Sequence, residues 1–330
     1  MALSEQTRRN PAADAFSLAM LVLLILSFSW LLYGGNLDSG YAGIGALLAI
    51  PFALGALIVR GSGMQYSLWG CLLAPIILFA IMFLAVYFGA AEGLVCIMMV
   101  MPLWILSGLG GGLLVLIYNY GEAERDDEDE EPGVRLKAIG WVLFPIAIIF
   151  GEMYSPPQWT TKVVERQVII DAAADEVWPL LVSIPEIHAD EGLPNFTQDW
   201  LGVARPSEAK LVERDGKLVR LAKWGADIRF EEQVTMIEPA SRLSWRFAFP
   251  DDSVQRYTDR HISPDGPTLR IIAGQYQLRS IAPGKTSVTL ATSYEMRSNL
   301  DWYLAWWGEL MLGDVQDNVL AIVKQRAEAS

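Results

Sequence analysis

The sequence predicts two folds in one chain: an N-terminal α-helical transmembrane bundle over residues 1–157 and a C-terminal α+β domain over residues 158–330. Three observations lead to this prediction. Ionisable residues before Tyr154 are nearly confined to the N-terminal tail and the loops, whereas the later sequence mixes charged and apolar residues throughout. Apolar runs of helical length fill the first half. Short alternating segments, followed by one long pattern of helical period, fill the second.

Five apolar segments are predicted to span a membrane. A crossing needs roughly 20 mostly apolar residues, because the hydrocarbon core is about 30 Å thick. The segments are 16–33, 41–59, 67–88, 94–118 and 138–154. The fifth is the shortest, and Glu152 lies near its end. The first is interpreted as a retained anchor rather than a cleaved signal peptide, since no small-residue cleavage site follows it and further apolar segments do.

Lysine and arginine fall in alternate loops, and this distribution predicts the orientation of the bundle. The loops after the first and third segments have none, and the other N-terminal regions have six: Arg8, Arg9, Arg60, Arg125, Arg135 and Lys137. We therefore expect an integral protein of a bacterial inner membrane with its N-terminus in the cytoplasm. With five crossings the C-terminal domain lies outside the cytoplasm, and with four it lies inside.

Neither a transport pathway nor a specific cation site is predicted in the first half. Each of the four prolines within the segments would suit a flexible bundle, but transport normally needs an ionisable residue in mid-span, and none is present. The loop 121–132 holds eight acidic residues without the spaced ligands of a calcium site, so we expect it to be solvated. Four glycines of the fourth segment are expected to permit close helix packing: Gly108, Gly110, Gly111 and Gly112.

Composition argues against several classes of site. Residues 155–330 hold 25 acidic and 19 basic residues, a balance of −6, so no basic surface for nucleic acid is predicted. Cys71 and Cys96 both lie in apolar runs, and His188 and His261 are the two histidines of the chain, so no metal site is predicted. No cofactor is predicted either, since the sequence has no phosphate-binding glycine loop.

The second half alternates like an antiparallel sheet before it ends in a helix. Strands are predicted over 162–170, 217–224, 227–237, 242–249, 269–281 and 286–296. Helices are predicted over 175–184, near 185–191 and over 299–326. In the last strand Val288, Leu290, Tyr294 and Met296 point to one face, which indicates that one face is buried and the other is wet.

Four segments of the second half carry a family resemblance. They are VIIDAAADEVWPLLVSI, FEEQVTMIEPASRLSWRF, GQYQLRSIAPGKTSVTLATSYEM and NVLAIVKQRAE. In this order they resemble the polyketide cyclase/dehydrase and lipid-transport group of the START-like (SRPBCC, helix-grip) superfamily, over about residues 160–328. The resemblance implies an antiparallel sheet curved around a long C-terminal helix, with a hydrophobic-ligand cavity between them. It does not extend to the membrane half.

The resemblance implies a pocket lined by inward-facing side chains. The candidates are Trp178, Phe230, Trp245, Phe247, Tyr276, Tyr294, Trp307 and Met311. For each of them ordinary core is at least as good an explanation as a pocket, because a small cavity uses only part of the inward face. Trp302 and Trp306 project from another face of the last helix. Packing under the sheet is the favoured interpretation for these two, and contact with lipid headgroups is the alternative.

Enzymes of this superfamily place acid/base groups inside an apolar cavity, where burial tunes their pKa. The densest polar cluster is YTDRHISPDG, and an Asp-x-His pair can orient an imidazole for base catalysis. Asp259 and His261 are therefore the candidate catalytic residues. The simpler interpretation is a solvated hairpin loop with a turn at 264–266.

Three functions are compatible with the sequence. The first is a membrane-tethered module that binds or transfers a lipid-like or other hydrophobic ligand. The second is a cyclase or dehydratase that acts on an apolar substrate through Asp259 and His261. The third is a non-catalytic structural or sensory membrane protein whose inward face is only core. The expected partners are the lipid bilayer and a hydrophobic small molecule, and the sequence leaves the oligomeric state open.

Overall fold

The computed structural model describes residues 11–33, 43–89, 94–122, 131–258 and 263–329. The chain divides into two compact units. The first comprises residues 1–91 and 97–157, and the second comprises residues 92–96 and 158–330.

The first unit is helical throughout its described elements. Its helices are α1 (Pro11–Tyr33), α2 (Ile50–Gly61), α3 (Leu68–Gly89), α4 (Leu94–Glu122) and α5 (Glu131–Tyr154). A π-helical turn, Gly45–Ala49, leads into α2. Each helix overlaps one of the five predicted apolar segments.

Two of these helices have the length and apolar composition to cross a membrane, over Leu68–Ala85 and Leu94–Asn119. The apolar stretches of the other three are shorter: Asp14–Leu26, Gly45–Gly61 and Ile139–Tyr154. Pro75, Pro102 and Pro145 lie inside α3, α4 and α5. The five-crossing arrangement therefore stays a prediction.

Glycines allow α2 and α4 to touch at the backbone. A Cβ on Gly55 would overlap the carbonyl oxygen of Gly108, and a Cβ on Gly111 would overlap the carbonyl oxygen of Phe52. Gly112 likewise allows α4 to approach α3, since a Cβ on it would lie 2.6 Å from the carbonyl oxygen of Cys71. The predicted role of this glycine run in close helix packing is confirmed.

Glu152, near the end of α5, bonds to the start of the helical segment that leads into α2. Its carboxylate accepts hydrogen bonds from the backbone N–H groups of Ile44 at 2.7 Å and Gly45 at 2.9 Å. A Cβ on Gly43 would lie 2.6 Å from a carboxylate oxygen, so glycine leaves the room that the carboxylate needs. Free N–H groups and the positive end of a helix dipole both stabilise a carboxylate in this place.

The second unit contains one seven-stranded antiparallel sheet with the strand order β1-β7-β6-β5-β4-β3-β2. Its strands are β1 (Thr160–Ile170), β2 (Pro206–Arg214), β3 (Lys217–Trp224), β4 (Ile228–Glu238), β5 (Arg242–Ala248), β6 (Leu269–Ala282) and β7 (Lys285–Met296). Its helices are α6 (Ala174–Val182), α7 (Phe196–Asp199), α8 (Ser253–Thr258) and α9 (Asp301–Glu328). This arrangement fits the helix-grip architecture that the resemblance implies.

The edge of the sheet differs from the prediction. Strand β2 and the short helices α7 and α8 were not predicted, and the predicted helix near 185–191 is wrong. Ile184 bridges to Ala209 of β2, and the Ile187 N–H donates to the Ser207 carbonyl at 2.8 Å, so this segment is extended beside the edge strand. Pairing to a strand distant in sequence cannot be inferred from the local pattern.

A register shift between Val234 and Met236 changes which side chains at the end of β4 face the core. Met236 is exposed, although strict alternation would place it with Ile228 and Phe230 on the buried face. A bulge adds one residue to one strand and therefore reverses the facing of the residues after it. Phe247 and the predicted inward residues of β7 are buried or half-buried, as alternation requires.

Helix α9 packs across β1 and β7. The core of the unit includes Val177, Leu243, Val288 and Ile322, each with almost no exposed surface. The buried face of α9 also includes Gln316, which the apolar pattern did not predict. Its amide donates to the Val164 carbonyl at 3.1 Å and to the Thr292 hydroxyl at 2.9 Å. The polar side chain thus ties the helix to both strands beneath it.

Candidate functional site

A buried ion pair lies on the inward face of the sheet. Arg220 of β3 and Glu232 of β4 are directly opposite cross-strand partners. The Arg220 Nη1 donates to Glu232 Oε2 at 2.5 Å, and the two residues are 5% and 7% exposed. The hydroxyl of Tyr276, on β6, lies close enough to interact with the same guanidinium. We call Arg220, Glu232 and Tyr276 the polar centre.

Aromatic rings surround the polar centre. The guanidinium carbon of Arg220 lies 5.8 Å from the ring centre of Trp245 and 5.6 Å from that of Tyr276. A row of neighbouring rings crosses the strands, with centroid separations of 5.2 Å for Trp245–Tyr276, 6.0 Å for Trp245–Phe247 and 5.9 Å for Phe230–Phe247. Cation–π attraction therefore adds to the ion pair in holding the guanidinium.

Gly274 of β6 makes this arrangement possible. It is the cross-strand partner of Trp245, and a Cβ at this position would overlap the indole ring. The indole therefore lies across the β6 backbone. A glycine inside a strand marks such a close approach.

Burial shifts the protonation equilibria of the polar centre. It raises the pKa of Glu232 above its ordinary value, and the opposing charge of Arg220 offsets this only in part. Burial lowers the pKa of Arg220, but the charges and hydrogen bonding of Glu232 and Tyr276 together raise it by more, so the net direction is upward. Burial likewise raises the pKa of the Tyr276 hydroxyl. A carboxyl with a raised pKa in an apolar interior is a chemically distinctive group.

Two N–H groups of this region have no hydrogen-bond partner among the described residues. They are Arg220 Nε and Trp245 Nε1, and both atoms are buried. Most buried donors in folded proteins are satisfied, since an unpaired donor costs on the order of 1–3 kcal/mol. The polar centre and the neighbouring Trp245 thus each retain one N–H group that could donate to a ligand.

Five of the eight predicted pocket residues lie at or near the polar centre: Trp178, Phe230, Trp245, Phe247 and Tyr276. Trp178, on α6, is half-buried and packs against the apolar cluster that includes Trp245 and Tyr276. Phe230 belongs to a neighbouring cluster with Ala222 and Ile228. Ring contacts between Phe230, Phe247 and Trp245 join the two clusters into one apolar region around the polar centre.

The other three predicted residues lie nearer to the start of α9. Tyr294 packs with Val164 and Met296 in a separate cluster, and burial raises the pKa of its hydroxyl to about 12. Trp307 is buried and Met311 is half-buried on α9 itself. The predicted lining therefore divides into two groups, and a pocket role for either group stays a prediction.

The candidate catalytic residues Asp259 and His261 lie outside the described residues. The segment resumes at Ser263, whose hydroxyl donates to the Asp265 carboxylate at 2.8 Å. The Gly266 N–H donates to the Ser263 carbonyl at 3.3 Å, which forms the turn predicted at 264–266. The catalytic role of Asp259 and His261 stays untested.

Arg220 and Glu232 were missed, although the sequence carries a signal for them. In LVRLAKW the two-residue period places Arg220 on the same face as Ala222 and Trp224. In IRFEEQV it places Glu232 with Phe230 on the apolar face. Two opposite charges at apolar positions of adjacent strands indicate a buried pair, but recognising it requires the register between the strands.

A surface recess near the end of α9 is lined by Pro185, Glu186, His188, Glu191 and Arg326. The Arg326 Nε donates to Glu191 Oε2 at 2.6 Å, and its Nη1 donates to the Pro185 carbonyl at 2.7 Å. The His188 N–H donates to Glu191 Oε1 at 2.8 Å. These bonds tie α9 to the 185–191 segment, so they explain the recess as a structural junction.

No protein-family model matches the chain, and no curated protein matches it. Among solved structures, the ZhuI aromatase/cyclase from Streptomyces sp. R1128 is similar with 14% identity and a TM-score of 0.32, over 51% of this chain and 94% of that one. The di-domain aromatase/cyclase BexL from the BE-7585A biosynthetic pathway has 15% identity and a TM-score of 0.34, over 60% and 59% of the two chains.

Norcoclaurine synthase from Thalictrum flavum, in complex with dopamine and hydroxybenzaldehyde, has 12% identity and a TM-score of 0.32, over 52% of this chain and 90% of that one. At these values the likenesses support no conclusion about activity or ligand. The chemistry of the site therefore has to be inferred from its own residues.

Proposed function

We propose that the chain is a membrane-anchored binding module that takes a hydrophobic small molecule, such as a membrane lipid, between the inward face of the sheet and α9. The observation that carries this proposal is the polar centre, with Arg220 and Glu232 buried among aromatic rings. The eight residues named from the sequence would supply the apolar lining, and the polar centre would orient the ligand.

A domain that packs an antiparallel sheet against a helix does not need a buried ion pair for stability. Removing two charges from water costs several kcal/mol per ion, and apolar residues of similar volume stabilise a core as well or better. Ligand sites, in contrast, combine an apolar lining with a few polar groups that fix orientation. The unpaired N–H groups of Arg220 and Trp245 would serve a ligand oxygen in this way.

The anchor belongs to the same proposal. The apolar stretches Leu68–Ala85 and Leu94–Asn119 support attachment to a bilayer. The proposal extends this to five crossings by residues 1–157, with the N-terminus in the cytoplasm of a bacterial inner membrane. Residues 158–330 would then act as the binding domain.

Photolabelling of the full-length protein in lipid nanodiscs tests the binding site. A fatty acid that carries a diazirine on its chain is crosslinked by light, and labelled peptides are identified by mass spectrometry. We expect label on the inward residues of β3 to β6, including Trp245 and Tyr276. Label confined to residues 11–154 would show that the probe enters only the bilayer, and the proposal would then fail.

Two double variants show whether labelling depends on the polar centre or on surface residues of the same strands. Arg220→Met with Glu232→Met replaces the buried pair by apolar side chains of similar length, and we expect several-fold less label. Lys223→Met with Arg229→Met changes a cross-strand pair of the same two strands, three pairs away, whose side chains are exposed, and serves as the control. Equal labelling of both variants would show that the polar centre is not part of the ligand-binding site.

A second candidate function is a dehydratase-type enzyme, which the burial of the Glu232 carboxylate among aromatic rings favours. The carboxylate would take the C–H proton next to a substrate carbonyl and pass it to the departing hydroxyl, so that one C=C bond and one water form. An apolar β-hydroxy ketone offered to the full-length protein would then be recovered less one water, and Glu232→Gln would abolish the change. Recovery of unchanged ketone from the wild-type protein would exclude this dehydratase activity, and binding without catalysis would remain the proposed function.

A further inference from the structure

Two tryptophans at the start of α9 are exposed. Trp302 is 65% exposed and Trp306 is 57% exposed, one helical turn apart. The favoured interpretation, that both pack under the sheet, is therefore wrong. The reason is that the neighbouring positions of α9, including Trp307, supply the buried face, which leaves these two rings on the solvent side.

The exposed pair lies at the end of the second unit where the chain arrives from α5. Thr160, the first residue of β1, pairs with Met296, the last residue of β7, and Leu269 at the start of β6 pairs with the same residue. Lys162 Nζ lies 3.6 Å from the carboxylate of Asp301, the first residue of α9. We call this end the linker end.

The opposite end of the unit is formed by the hairpin turns. Arg214 pairs with Lys217, and Ala282 pairs with Lys285, so both turns lie away from the linker end. The last turns of α9 are also there, since Lys324 Nζ donates to the Ile169 carbonyl at 2.8 Å. Exposed residues at this end provide an internal control for any measurement at the linker end.

We propose that the linker end rests in the headgroup region of the bilayer, with Trp302 and Trp306 inserted among the lipid headgroups. This inference rests on the anchoring part of the proposed function. The linker 155–159 between α5 and β1 has five residues, which reach at most roughly 18 Å when fully extended. A tether this short keeps the linker end close to the membrane surface. Tryptophan is favoured at that depth, because its ring is apolar and its N–H is polar.

The charges at the linker end indicate that its binding to a bilayer does not require anionic lipid. Lys162 is paired with Asp301, and the guanidinium of Arg270 lies 4.3 Å from the ring centre of Trp159. The residues 155–330 carry a net charge of −6, from 25 acidic and 19 basic residues. Insertion of aromatic rings, rather than attraction of a basic cluster, would therefore hold this surface on the membrane.

Spin labels on the full-length protein in phosphatidylcholine proteoliposomes test this inference. Cys71→Ala and Cys96→Ala remove the native thiols. Single cysteines are then placed at residue 302 or 306 (Trp302→Cys, Trp306→Cys), with Lys217→Cys at the opposite end as the control. Power saturation compares collision of each label with oxygen, which concentrates in lipid, and with a water-soluble nickel complex. We expect an oxygen-to-nickel ratio several-fold higher at residues 302 and 306 than at residue 217.

A third label distinguishes failure of this inference from failure of the anchor. Ile77 is exposed on α3, so Ile77→Cys reports whether that helix is in lipid. A lipid-like ratio at residue 77, with ratios at residues 302 and 306 equal to that at residue 217, would overturn the docking of the linker end alone. A water-like ratio at residue 77 would overturn the anchor itself.

Discussion

At the scale of single residues, Arg220 and Glu232 each make the other tolerable in an apolar interior. The guanidinium satisfies one carboxylate oxygen and lies against the rings of Trp245 and Tyr276. Since the paired charges were already removed from water, the loss of one partner leaves the other without compensation. The two residues therefore have to be considered as one unit in any variant.

Removing one charge should cost far more stability than removing both. Arg220→Met leaves Glu232 buried without a cation, and we expect a loss of roughly 3–5 kcal/mol in the free energy of unfolding. The double variant with Glu232→Met should lie within about 1–2 kcal/mol of the wild type. Urea unfolding of the full-length protein in detergent micelles, followed by near-ultraviolet circular dichroism, measures both. A single variant as stable as the double variant would contradict the coupling.

The alternation of apolar residues correctly predicted inward positions such as Val288, Leu290 and Tyr294, because the two-residue period can be recognised within a single strand. The polar centre could not be predicted in the same way. Its two charges lie on different strands, and whether they meet depends on the β3–β4 register. The bulge after Val234 shows the same limit, since one inserted residue changes which side chains face inward.

At the scale of elements, both ends of α9 were predicted to within two residues, because the apolar period repeats over many turns of this long helix. The pattern did not reveal how α9 is held. Its C-terminal turns are tied through Arg326 to Glu191 and to two backbone carbonyls of the 185–191 segment. A long-range tie of this kind depends on tertiary structure and leaves no periodic signal.

This tie should make the junction sensitive to acid. Hydrogen bonding to Arg326 holds the pKa of Glu191 below its ordinary value of 4.5. The folded state then binds the proton less readily than the unfolded state, so the tie stabilises the protein above that value and is lost as the pH falls through the lower folded pKa. Thermal midpoints of the full-length protein between about pH 6 and pH 3 measure the effect.

Glu191→Gln is the matched variant for this measurement, because it keeps the shape and removes the charge. We expect it to lower the midpoint near neutral pH and to make the acid-induced loss shallower than in the wild type. Glu213→Gln, at an exposed position of the β2 edge strand, is the control. Identical pH profiles for the wild type and Glu191→Gln would show that the tie contributes nothing to stability.

At the scale of the whole molecule, the location of the second unit depends on α5. The apolar stretch of this helix is Ile139–Tyr154, which is shorter than the roughly 20 residues of an ordinary crossing. Glu152 would be costly inside a bilayer, but its carboxylate is satisfied by the N–H groups of Ile44 and Gly45. This pairing favours a fifth crossing, because it removes the main electrostatic objection to one.

Five crossings from a cytoplasmic N-terminus would place residues 158–330 outside the cytoplasm, and reporters fused after Ser330 test this prediction. Alkaline phosphatase is active only outside the cytoplasm, whereas green fluorescent protein exported by the general secretory route does not fluoresce. We expect an active phosphatase and a dark fluorescent protein at Ser330, and the reverse for fusions after Glu130, at the end of the acidic sequence that precedes α5. Fluorescence at both sites would mean that α5 does not cross, and the binding domain would then face the cytoplasmic leaflet. Glu152→Lys should shift the Ser330 fusions toward that result, because a cation cannot accept the two N–H bonds and adds a positive charge at the outer end of the helix.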